Sequence, residues 1–155
     1  MGVADSGQWF SRAFAGGVLG GLVAGLWSAL YAAMSGVPWW SPLAMYRTSM
    51  FGLSPHPIVS AGLTGAVVAG CVWLMIGGLM AGALFGLLGG SLLPRTHARG
   101  VAGFGLVFGL ILFALTVWGV PLLPAASTAH LAAWGRLVAL VLMGGTIGRV
   151  AGSTA

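Results

Sequence analysis

Four long apolar stretches, each closed off by arginine or proline, constrain this chain more than any other feature. They run from Ala13 to Gly36, from 58 to 93, from Val101 to Val120 and from Leu131 to Val150. What lies around them could not cover a water-soluble surface. Lys, Glu and Asn do not occur, Asp5 is the only acid, and charged residues make up 5% of the chain. A soluble domain has about a quarter of its residues charged, so water at the surface must be replaced by lipid or by other protein. The sequence predicts an all-α integral membrane fold, a bundle of four transmembrane helices forming one membrane domain over 1–155.

A spanning helix needs about 20 residues to cross roughly 30 Å of hydrocarbon. The first, third and fourth stretches fit as helices over 13–36, 101–120 and 131–150. The second, 58–93, would be about 54 Å long at 1.5 Å per residue, either one long tilted helix or two spans folded back at Gly77-Gly78. The arginines favour the single helix. With four spans and the N-terminus inside, Arg12, Arg95, Arg99 and Arg149 are cytoplasmic and only Arg47 and Arg136 lie outside, as the positive-inside tendency requires. A fifth span would reverse Arg95, Arg99 and Arg149. The expected location is the cytoplasmic (inner) membrane, multi-pass, with both termini cytoplasmic. The first stretch reads as a retained helix, because its flank holds Asp5 with a single Arg12 and its length exceeds that of a signal-peptide apolar region.

The link between the first two stretches has its own pattern. Over 42–53, Leu43, Tyr46, Met50 and Leu53 share one helical face and Thr48, Ser49 and Gly52 the other, which predicts a short helix lying in the outer interface. Arg47 borders the apolar face, where it can snorkel to headgroups. Trp39, Trp40, Trp118 and Trp134 all fall at that same outer face, as an aromatic belt would.

The 28 glycines recur at four-residue spacing. Gly17, Gly21 and Gly25 line the first helix, Gly78, Gly82, Gly86 and Gly90 the second, Gly105 and Gly109 the third, and Gly144 and Gly148 the fourth. Such stripes let backbones approach closely, so that dispersion and weak hydrogen bonds hold helices together. The plainer reading is that they hold the bundle itself together. The sharper one is that some face outward, to a partner subunit or an identical copy.

Chemistry is scarce. Acid–base catalysis and hard-metal binding lean on carboxylates, and Asp5 stands alone, so no enzyme, catalytic residue or metal site is expected. Six arginines scattered singly between apolar runs read as topology and exclude a nucleic-acid patch. Cys71, Met75, Met80 and Met143 read as buried packing, and Ser28, Thr64, Thr116 and Thr146 can bond to a carbonyl one turn back. No cofactor is expected. The competing reading, a haem or pigment on an interfacial imidazole, would use His130 or His56. Arg136 lies inside the fourth stretch, where it either snorkels outward or contacts a carboxylate, carbonyl or phosphate supplied by a protein partner or a lipid. Arg95, Arg99 and Arg47 are suited to anionic lipid headgroups.

Leu93-Pro94, Arg99-Gly100 before Gly103-Phe104-Gly105, and His130-Leu131 before Trp134-Gly135 follow one another in an order that resembles uncharacterised small four-helix bacterial inner-membrane proteins. The resemblance covers the second half of the chain, and Arg136 departs from it. It implies a membrane bundle and no particular activity. The function expected from the residues is that of a non-catalytic accessory or assembly subunit, packed by glycine-rich helix faces against a larger membrane complex, with a respiratory or photosynthetic electron-transfer complex as host class. The alternative is a homo-oligomeric channel or carrier for a small neutral or anionic solute. The partners expected are membrane lipids, anionic headgroups among them, and other membrane subunits.

Overall fold

Helix α1 runs from Val3 to Met34, α2 from Ile58 to Leu92, α3 from Ala98 to Val117 and α4 from Ala133 to Ala151. The structure, a computed structural model, describes residues 3–42, 58–92, 98–117 and 133–153. All four helices are long and apolar enough to cross a membrane, and no strand occurs among the described residues. The protein is an all-α, multi-pass membrane bundle. The expected interfacial helix over 42–53 lies outside the described residues beyond Pro42.

One helix departs far from the bounds read in the apolar pattern. α1 starts ten residues before Ala13, because the end of an apolar run marks where lipid stops and not where hydrogen bonding stops. Its first turns are held by polar contacts. Ser11 donates to the Gln8 carbonyl at 3.0 Å and Arg12 donates to the Gln8 side-chain oxygen at 3.5 Å. α2 passes through Gly77-Gly78 without a break, as a single helix of about 52 Å. The far end of α1 closes on Gly36. With φ at 74°, that residue lets Val37 N–H reach the Ala32 carbonyl at 2.9 Å while Gly36 N–H meets that of Ala33 at 3.2 Å, the paired bonds of a Schellman stop.

The helices form a curved row in the order α2, α1, α4, α3. α1 packs against α2 on one side and α4 on the other, α4 packs against α3, and α2 touches α3 and α4 only briefly. The ladders read in the sequence make two of the three seams. A side-chain carbon placed on Gly17 would collide with the Gly78 carbonyl and stand 3.0 Å from Gly82 Cα, and one on Gly21 would collide with the Leu74 carbonyl. One on Gly82 would collide with the Ala13 carbonyl. Each step of four along α1 is thus matched by a step of four back along α2. The α3–α4 seam repeats the arrangement, with Gly105 against Gly144 and Gly148 and Gly109 against Leu140 and Val141. Lipid tails are as apolar as leucine, so such seams are held by dispersion and Cα–H···O contacts, which need backbone proximity.

The α1–α4 seam uses Gly16 and Gly20, a second stripe beside the first. Carbons added there would lie 3.0 Å from Ile147 Cα and 2.8 Å from the Met143 carbonyl. The remaining side of the row is closed by rings. Phe85 of α2 is fully buried, with its ring centroid 5.5 Å from that of Phe104 and 5.4 Å from that of Phe108 on α3.

These seams separate glycines that tolerate a methyl group from those that do not. Gly78→Ala and Gly105→Ala should destabilise the bundle by at least the 1–3 kcal/mol or so typical of overpacking. Gly103, with nothing within 4 Å of its added carbon, should gain about 0.5–1 kcal/mol as alanine from backbone entropy. Thermal or denaturant unfolding in detergent checks the opposite signs.

Candidate functional site

Two tryptophans on α1 fasten it across its seams at opposite ends. The Trp9 indole N–H donates to the Gly86 carbonyl of α2 at 2.9 Å, and Trp27 N–H donates to the Gly135 carbonyl of α4 at 3.0 Å. Both acceptors are glycines, whose carbonyls no side chain shields. The two indoles are 18 residues apart, about 27 Å along the helix, close to the hydrocarbon thickness. Amphipathic rings with one polar atom settle at such levels.

At the first level Trp9 stacks on Phe85 with centroids 6.0 Å apart, and the Phe10 ring covers Gly86. At the second, Trp134 meets Tyr31 edge-on at 5.1 Å and Trp27 at 6.1 Å. The Tyr31 ring lies 3.1 Å from where a Gly135 side chain would start. Trp39 and Trp134 are exposed and Trp40 is half-buried. Trp118 lies outside the described residues.

Ten of the eleven ladder glycines (17, 21, 25, 78, 82, 86, 105, 109, 144 and 148) face a neighbouring helix of the same chain within 3.5 Å. Gly86 lies under Phe10, and Gly90 is 3.6 Å from the Trp9 indole nitrogen. Of the two readings of the ladders, these contacts fit the plainer one, in which they hold the bundle itself together. The second α1 stripe, Gly16 and Gly20, was not read in the sequence, although the doublets Gly16-Gly17 and Gly20-Gly21 signal two adjacent stripes. A correction concerns the methionines. Met143 is buried, but Met75 is 38% and Met80 41% exposed on the outward side of α2.

Arg99 is exposed in the first turn of α3, and Arg136 is half-buried next to Gly135. Arg95, Arg47, His56 and His130 lie outside the described residues. Cys71 is half-buried with a free thiol. Among the described residues no three His, Cys, Asp or Glu side chains gather as metal ligands. The hydroxyls inside the helices satisfy themselves locally: Ser28 donates to the Ala24 carbonyl, Thr146 to that of Leu142 and Thr116 to that of Phe113, at 2.7–2.8 Å. What the described residues bring together is a set of anchoring and packing groups between the helices.

No known protein family, no curated protein and no solved structure matches this chain.

The Trp27 fastening has a measurable strength. Trp27→Phe keeps a ring against Trp134 but removes the donor to Gly135, and should cost about 0.6–1.7 kcal/mol, the range of interhelical hydrogen bonds in membranes. Unfolding in detergent, compared with Trp134→Phe, which removes no such bond, isolates that contribution.

Proposed function

We propose that this protein is a non-catalytic subunit or assembly factor of a larger membrane complex, placed in the cytoplasmic membrane with both ends of the chain inside. Its docking surface is the outward side of α2. This long helix gives one stripe to α1 and turns Val72, Met75, Ile76, Leu79, Met80 and Leu87 away from the bundle, each more than a third exposed. Unbranched, polarizable methionine side chains adapt to an irregular partner surface. That outward face carries the proposal, and its occupant is a transmembrane helix of another subunit. The orientation rests on Arg12, Arg99 and Arg149 standing at the end of the bundle opposite Arg136. A solute path through the molecule has less support, since Phe85, Leu140, Met143 and Ile147 fill the interior.

Crosslinking in native membranes, then purification in mild detergent and native electrophoresis, tests the proposal. A partner should accompany the wild-type chain. Leu79→Trp with Met80→Trp should release it while leaving the stability of the isolated protein within about 0.5 kcal/mol, as surface changes do. A chain that migrates alone after crosslinking overturns the proposal. Visible absorption of the captured complex tests the electron-transfer host class.

A further inference from the structure

Three arginines, one from each of three neighbouring helices, stand on one flank of the row at a common level. Gly148 of α4 faces Val101 and Ala102 of α3, and Gly16 of α1 faces Ile147 and Val150 of α4. That register sets Arg149 level with Val101 and with Gly16. Arg99 is then about 3 Å and Arg12 about 6 Å further toward the end of the bundle. The flank is shared as well. The Leu106 tip lies 2.9 Å from where a Gly145 side chain would begin. Arg149 is one turn beyond Gly145, and Arg99 two turns before Leu106. Arg12 falls one turn before Gly16, on the side of α1 away from the α2-facing stripe. Arg99 and Arg149 are exposed and Arg12 is half-buried.

Each of these arginines has a leucine seven residues deeper on its own helix, hence on the same face. These are Leu19, Leu106 and Leu142, exposed by 49%, 47% and 39%. Three cationic heads above three apolar side chains match an amphiphile with an anionic head. Asp5 is the chain's single acid, so three arginines on one flank leave it net positive. We infer that Arg12, Arg99 and Arg149 together bind the phosphate of an anionic phospholipid, whose acyl chains lie along Leu19, Leu106 and Leu142. The lipid would bridge α1, α4 and α3 at this end and fix which leaflet it faces.

The test is native mass spectrometry of the protein released from neutral detergent after adding phosphatidylglycerol or phosphatidylcholine. Wild type should retain phosphatidylglycerol at least about tenfold better, with a loss of about fivefold for each arginine replaced by glutamine. Arg12→Gln, Arg99→Gln and Arg149→Gln combined should bring retention down to the phosphatidylcholine level. The wild-type preference alone should also vanish in about 1 M salt, where screening is nearly complete, so the result does not depend on the variants folding. Equal retention of the two lipids by wild type, a preference that survives the triple substitution, or displacement of the lipid by inorganic phosphate would each overturn the inference.

Discussion

Backbone contact between helices, made possible by missing side chains, is the interaction on which this molecule rests. In water, burial of apolar surface would draw the helices together. In lipid that drive is absent, and association needs atoms closer than leucine permits. α1 meets the requirement twice over, with Gly17, Gly21 and Gly25 toward α2 and Gly16 and Gly20 toward α4. The α3–α4 pair repeats the device independently. The tryptophans then add direction, since an indole donating to a glycine carbonyl fixes the slide of one helix along another, which a smooth seam does not.

The rings of Phe85, Phe104 and Phe108 do the opposite of the glycines. They keep α2 and α3 apart while filling the space between them. The bundle is therefore an open row with one padded side.

How much of this could be read in advance follows from what hydropathy measures. The four helices were legible because only a helix satisfies its own backbone in hydrocarbon, and the continuity of α2 followed from the arginine count. The start of α1 was not, because residues 3–12 are helical but polar. Met75 and Met80 were misplaced for a related reason. When lipid and protein interior are equally apolar, periodicity carries no information about which face is inside. The four-residue ladders were legible as packing surfaces, but which ladder meets which depends on register, and register is a property of two helices. The same holds for Trp9 and Trp27, whose acceptors are 77 and 108 residues away in the chain.

The α1–α4 seam sets an order on assembly during synthesis. α1 and α2 can pair as soon as both have left the ribosome, since they are consecutive. α3 has no such neighbour. Its glycine face waits in the bilayer until α4 emerges, and α4 must then settle at once against the oldest helix and the one made just before it. A chain stalled before that point would present two unclosed seams to the translocon and to quality-control proteases, so the most vulnerable moment in its biogenesis falls late.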